Sequence, residues 1–265
     1  MTNTAAPVLV DREGGVATVT INRPDRRNAL DRATKVALLE ALAALSADAT
    51  IRAVVLTGAG STFCSGQDLA EHAEALRADP ATALDTVDEH YGPIVVLIAT
   101  MPKPVIAAIS GMCVGAGLGL ALACDLRVLS SAATFRTAFT AIGLTCDSGL
   151  SATLVRAVGQ SRASELVLLG TTFGTEQAVA WGFSGIVAPP DEVLPRAQDL
   201  AQLLAAGPTQ AYAESKALLH AAASSSLHDA LSAESAAQRR LGLTSDHQRA
   251  VTSFLAKESP TFDGR

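Results

Sequence analysis

The sequence predicts an α/β fold in which strand-strand-helix units come first and a helical region follows. Three observations predict it. Short apolar or alternating runs stand ahead of helical patterns through the first two thirds of the chain. From Val193 onward the pattern is helical almost throughout. Between them, Gly111-Met112-Cys113-Val114-Gly115-Ala116-Gly117-Leu118-Gly119 joins an apolar strand-like run, Pro104 to Ser110, to a helix ending near Cys124.

Each element has a local reason. Val8 to Asp11 and Gly15 to Asn22 read as paired strands, because Val16, Thr18 and Thr20 alternate with Ala17, Val19 and Ile21. Asn22-Arg23-Pro24-Asp25 is a turn. Asp31 to Ala47 is a helix with Asp31 as N-cap and Val36, Leu39, Ala43 and Ser46 on its inner stripe. Ile51 to Thr57 is a buried strand and Gly58 to Gly66 a loop. Leu69 to Pro80 is polar and partly helical, and Ala83 to Ala99 is a helix that turns from acidic to apolar. Asp125 to Ser130 and Thr134 to Arg136 are short strands. Leu150 to Val158, Arg162 to Leu169 and Thr175 to Trp181 are helices, and Gly185 to Val187 is a strand. The final helices break at Gly207-Pro208, at Ser224 to Ser226 and at Gly242. No linker separates independent domains. The expected division is a core over residues 1–200 and a helical region over 201–265.

Composition removes several function classes. Net charge is −6, which argues against a nucleic-acid surface but leaves room for a polyanionic small ligand beside a basic cluster such as Arg23, Arg26 and Arg27. The simpler reading of that cluster is a solvated turn. Met1 to Pro7 shows neither a positive nor an apolar export region. The four cysteines, Cys64, Cys113, Cys124 and Cys146, lack metal-ligand spacing, so a reduced, cytoplasmic protein without a metal is expected. Pro104 to Cys124 carries no charge and has glycines at membrane-helix spacing, yet its proline, its glycine density and the lack of strong cationic anchoring at its flanks fit a buried strand better. A dinucleotide loop fails on spacing and on the missing acidic residue.

The glycine stretch has two remaining readings. It either serves close packing alone or exposes main-chain N–H groups at a helix start, where negative charge is stabilised.

Several segments together resemble the enoyl-CoA hydratase/isomerase (crotonase) superfamily. They are Asn22 to Leu30, Phe63 to Leu69 and Pro102 to Asp125, in that order and spacing. The resemblance implies a crotonase-like spiral of ββα units, with a C-terminal helical trimerisation region and assembly into trimers or hexamers. It implies that the N–H groups of Gln67 and Ala116 hold a thioester oxyanion. Acyl-CoA contacts are implied for Arg26, Arg27, Ala29, Ser65, Gln67, Asp68 and Leu69. Further contacts are implied for Gly115, Phe139, Leu144, Phe254 and Lys257. CoA belongs to the substrate, and no cofactor is expected. For Phe254 and Lys257 the plain alternative is amphipathic helix spacing with a solvated end charge. Asp68 can equally hold its loop by hydrogen bonds.

The departures are informative. Where hydratases of the family carry two glutamates, this chain has Gly119 and Phe139. Asp147 stands in another active-site stretch, Thr145 to Gly149. Read alone, it is an N-cap for the next helix. Read in the family, it faces the acyl carbons and acts as base. The pattern is most similar to the ring-1,2-epoxyphenylacetyl-CoA isomerase group, departing at Thr145, Cys146 and Leu150. The expected activity is therefore acyl-CoA isomerisation, a double-bond shift or the rearrangement of a ring epoxide, with Asp147 as base. The alternatives are a hydratase in which Asp147 alone positions water, covalent attack by Asp147 as in a dehalogenase or hydrolase, and a non-catalytic acyl-CoA binder. His90 and Tyr91 are candidate pocket residues, with a solvated histidine the plain alternative. Cys146 reads as a small hydrophobe rather than a nucleophile.

Overall fold

The structure, a computed structural model, describes residues 6–265. The first five residues of the stretch read for an export signal lie outside it. Strands β1 (Val8–Glu13) and β2 (Val16–Ile21) form an antiparallel hairpin. Helix α1 (Arg32–Ala47) follows a turn, and the Asp31 carboxylate accepts the Thr34 N–H at 2.8 Å as its cap.

Three similar units come next. The first is β3 (Ala53–Gly58), β4 (Thr62–Cys64) and α2 (Leu69–Ala78). A connecting segment, a π-type turn over Val87–Tyr91 and α3 (Gly92–Thr100), leads to the second. That unit is β5 (Val105–Ile109), β6 (Met112–Val114) and α4 (Ala116–Ala123). The third is β7 (Leu126–Ser130), β8 (Thr134–Arg136) and α5 (Leu150–Leu169). Next come β9 (Phe173–Gly174), α6 (Thr175–Ala180) and β10 (Ile186–Ala188). The chain ends in α7 (Val193–Ala205), α8 (Thr209–Ala222), α9 (Leu227–Leu241) and α10 (Ser245–Ala256).

In each unit the first strand enters one sheet and the second enters another. The larger sheet has the order β1-β2-β3-β5-β7-β10 and the smaller β4-β6-β8-β9. Every pair among β2, β3, β5, β7 and β10 is parallel, so the chain winds as a spiral. Both faces of the larger sheet are covered, and β3 and β5 are apolar or small at every position in consequence. Alternation divides the faces: Val54 and Leu56 join Leu38, Ile94 and Leu120 in the main core. Ala53 and Val55 meet Ala197, Ala201 and Ala205 of α7 on the other side. The expected division at residue 200 therefore falls inside a helix that packs on the core sheet. No described helix is long and apolar enough to cross a membrane.

Some expectations need correction. The inner stripe of α1 is Thr34, Lys35, Leu38, Leu42 and Leu45, whereas Val36 and Ala43 are exposed. In this alanine-rich helix the leucines decide the face, because they bury the most apolar area. The loop from Gly58 to Gly66 contains β4, and the glycine stretch contains β6. These three-residue strands are too short to show a period. The helix expected over Ala83 to Ala99 begins instead as a π-type turn before Gly92, next to Pro93, which has no N–H to donate. The two helices expected over Leu150 to Leu169 are present, joined through Gly159, whose φ of 75° and ψ of 160° are not helical.

Candidate active site

The loops that follow β4, β6 and β8 converge on one cavity of about 270 Å³. The first supplies Ser65, Gly66, Gln67 and Leu69, and the second Val114, Gly115 and Ala116. The third supplies Arg136, Phe139, Leu144 and Asp147. His72, Leu84, Thr86, Val87 and Tyr91 close the wall.

Two glycines set the first two loops. Gly66 has φ +91° and Gly115 φ +56°, conformations that L side chains rarely adopt. A Cβ on Gly66 would stand 3.0 Å from the Val114 carbonyl oxygen and 3.5 Å from the Ala116 nitrogen, so the loops are in contact. The Leu30 N–H donates to the Gly66 carbonyl at 2.8 Å, and the Asp68 N–H donates to the Leu30 carbonyl at 3.2 Å. The peptide between them is pinned on both sides. The Gly115 N–H donates to the Arg136 carbonyl at 3.0 Å and ties the second loop to the third. Among the described residues no protein acceptor takes the N–H of Gln67 or of Ala116, the first residue of α4. Two unpaired donors therefore border one cavity, one of them at a helix start, where a developing oxyanion is stabilised most.

Asp147 is the one carboxylate that lines this cavity among the described residues. Gly149 occupies the N-cap of α5 and no side chain caps that helix, so the capping reading of Asp147 does not hold. The carboxylate accepts one hydrogen bond, from Ser148 Oγ at 2.7 Å. Burial pushes its pKa up, and the Ser148 hydroxyl and the Lys35 charge oppose this without cancelling it.

The position of the first family glutamate is closed sterically as well as chemically. A Cβ on Gly119 would lie 2.5 Å from Ser148 Cβ and 2.8 Å from the Ser148 carbonyl oxygen. The turn that carries Asp147, with Ser148 at φ +52°, occupies the volume a side chain at 119 would need. Phe139, at the second glutamate position, is buried against the cavity.

The other residues singled out in the sequence divide into two groups. Arg26 and Arg27 sit beside the first loop, where the Ser65 N–H donates to the Arg27 carbonyl at 3.1 Å. Arg23 is engaged structurally: it pairs with Asp31 and Asp68 at 2.9 Å each and donates to the Ala29 carbonyl at 2.6 Å. Asp68 caps α2 and does not line the cavity. Phe254 lies on α10 and Lys257 at its end, both exposed and outside the cavity. His90 is buried and faces an adjoining cavity, whereas Tyr91 lines the site itself. Cys146 is half-buried and its thiol is pushed up by burial, which suits packing better than nucleophilic attack. Sequence reasoning missed Lys35, which is 2% exposed against Tyr91 and Gln67. The signal was present: Lys35, Leu38, Leu42 and Leu45 follow helical spacing on one face.

A family model described as enoyl-CoA hydratase/isomerase matches residues 11–265. The chain is 39% identical over 259 residues to a 1,2-epoxyphenylacetyl-CoA isomerase of Escherichia coli, covering 97% of this chain and 98% of that protein. It is 38% identical over 251 residues to a probable enoyl-CoA hydratase of Rhodobacter capsulatus, covering 95% of each. A solved structure described as a putative enoyl-CoA hydratase/isomerase from Mycobacterium abscessus superposes with a TM-score of 0.94 at 49% identity, covering 97% of this chain and all of that one. The spiral of ββα units, the paired main-chain donors and these matches agree: the chain belongs to the enoyl-CoA hydratase/isomerase family.

Proposed function

We propose that this protein is an acyl-CoA isomerase that moves a double bond in a CoA thioester. The observation that carries the reading is the pairing of a lone cavity carboxylate, Asp147, with a position 119 that admits no side chain. In a 3-enoyl thioester the Asp147 carboxylate takes a proton from C2. The electron pair moves onto the thioester oxygen, where the Gln67 and Ala116 N–H groups stabilise the charge. The protonated Asp147 then returns the proton at C4, which leaves the conjugated 2-enoyl isomer. Burial favours this role, since a carboxylate with a raised pKa is a stronger base once ionised. Addition of water needs a second group to orient the nucleophile, and Phe139 offers none.

The CoA phosphates are assigned to Arg26 and Arg27, together with Lys257 of a neighbouring copy in a trimer. Exposed Leu219, Leu227, Leu243, Phe254 and Leu255 on the last helices and their connections support burial of that region between copies. In the Lys257→Ala variant acyl-CoA affinity should fall and the deficit should shrink at high salt. A salt-independent, unaltered affinity overturns the phosphate role, and a fully active monomer by light scattering overturns the trimer.

The deciding assay offers purified protein aliphatic and aromatic 3-enoyl-CoA thioesters and follows product mass and ultraviolet absorbance. The expected product has unchanged mass and gains a conjugated absorbance. Rapid hydration of crotonyl-CoA, seen as one added water, overturns the isomerase assignment.

A further inference from the structure

The fold buries a lysine beside the active site for which ion pairing gives a poor account. Lys35 is 2% exposed. Its Nζ donates to Thr86 Oγ1 at 2.8 Å and to Gln67 Oε1 at 3.3 Å, and stands 5.4 Å from the centre of the Tyr91 ring. The carboxylate nearest to it, Glu71, lies 3.6 Å away and is 36% exposed. Lys216, also buried, meets Asp125 at 2.8 Å and donates to the Ile98 carbonyl at 2.7 Å. Lys216 is a neutralised structural cation, whereas the shortest contacts of Lys35 are with the neutral oxygens of Thr86 and Gln67 and its carboxylate partner is longer and partly exposed. Burial accordingly lowers the Lys35 pKa, with Glu71 opposing. A buried ammonium carries a desolvation penalty that an apolar side chain would avoid.

What Lys35 holds is Gln67. The Gln67 Oε1 accepts from both Lys35 Nζ and the buried Tyr91 hydroxyl, and both contacts reach across from separate elements, α1 and the π-type turn. The Gly66–Gln67 peptide is held at its oxygen, where the Gly66 carbonyl accepts the Leu30 N–H at 2.8 Å, and the Gln67 side chain, held by Lys35 and Tyr91, is a second restraint on it. Anchoring the side chain on the far side opposes rotation of that peptide and keeps its N–H toward the cavity.

We propose that Lys35, with Tyr91, is a positioning residue for the oxyanion hole, acting through the Gln67 side chain to aim the Gln67 N–H at the thioester oxygen. The proposal rests on the oxyanion reading given under Proposed function. Loss of one such donor typically lowers turnover about 100-fold or more.

The test uses cinnamoyl-CoA, a conjugated thioester whose absorbance moves to longer wavelength when its carbonyl oxygen is polarised. Wild-type protein and Asp147→Asn should both show the full red shift. Lys35→Met and Gln67→Met should bind the probe within a few-fold of wild type, lose most of the shift per bound molecule, and lower kcat far more than KM. Tyr91→Phe should fall between. Thermal melts identify variants that fold, and Gln67→Met keeps the proposal testable where Lys35→Met does not. Folded Lys35→Met or Gln67→Met with the full shift overturns the positioning role alone. A wild-type protein that binds the probe without any shift overturns the oxyanion hole itself.

Discussion

Asp68 and Asp147 occupy comparable places, each in a loop that leaves the smaller sheet and runs into a helix, and the fold treats them in opposite ways. Asp68 accepts the Ala70 and Glu71 N–H groups and pairs with Arg23 at 2.9 Å. Burial pushes its pKa up, but the Arg23 and main-chain hydrogen bonds outweigh burial and hold it below the usual carboxylate value. Asp147 has one hydroxyl partner and a raised pKa. An aspartate becomes available for chemistry when the fold withholds the donors that would otherwise occupy it. Residue type is shared by the two, but Asp68 is the N-cap of α2 whereas Asp147 stands two residues before the N-cap of α5, so only Asp68 meets free helix N–H groups.

The largest effect separating them is on turnover. Asp147→Asn should bind thioester normally and lose isomerisation by about 100-fold or more, as for a positioned general base. Asp68→Asn, measured beside it, should retain most of its kcat. Equal losses in steady-state kinetics would erase the contrast.

A second test moves the base without removing it. Gly119→Ala pushes a methyl group into Ser148, and a displacement on the scale of 1 Å costs about 100-fold in rate. The expected result is a kcat loss somewhat below that of Asp147→Asn, with no gain of hydration. An unaffected kcat would show that the Asp147 turn tolerates the overlap.

Stability should reverse the ranking. Asp68→Ala removes a helix cap and leaves Arg23 short of a partner, so it should lose about 1–2 kcal/mol in denaturant unfolding. Asp147→Asn should be as stable as wild type or more so at pH 7, because ionising a buried carboxylate costs free energy.

The smallest effects are in the pH dependence of those differences. A depressed folded pKa means that Asp68 contributes stability above its unfolded value, near 3.8, and loses it as pH falls through the folded value. A raised folded pKa means that ionised Asp147 costs stability above that range, and the cost vanishes once both states are protonated. Both gaps from wild type, of opposite sign, should therefore close in acid. For the reaction, the rate should rise with pH through a midpoint above 3.8, as Asp147 loses its proton. Gaps that persist unchanged below pH 3 would detach stability from these carboxylates.

What was legible in the sequence was local. Asp31 as a cap and the helix breaks at Gly207-Pro208, Ser224 to Ser226 and Gly242 appear where expected, because caps and breakers act within a turn of themselves. The positions of Gln67, Ala116 and Asp147 came from motif resemblance, since main-chain donors leave little trace in side-chain pattern. For Asp68 the hydrogen-bonding role was one of two open readings, and the partners that decide it, like those of Lys35, were not legible. Asp68 is capped against chemistry by Arg23, 45 residues away, and Lys35 meets Thr86, 51 residues away. Partners that distant are chosen by the spiral, which no window of sequence contains.

The smaller sheet also acts as a ruler. Strands β4 and β6 are parallel neighbours, with Thr62 opposite Met112 and Cys64 opposite Cys113. The two N–H groups lie in the loops into which these strands lead, so the strand pairing brings the two donor loops side by side. The third strand, β8, continues the same sheet and delivers the segment that bears the base. Tolerance to change is thereby unequal along the chain. An insertion after β8 can exchange one reactive group for another while the gauge set by the first two strands stays untouched. A one-residue slip of β4 against β6 would misalign the donors for every substrate at once.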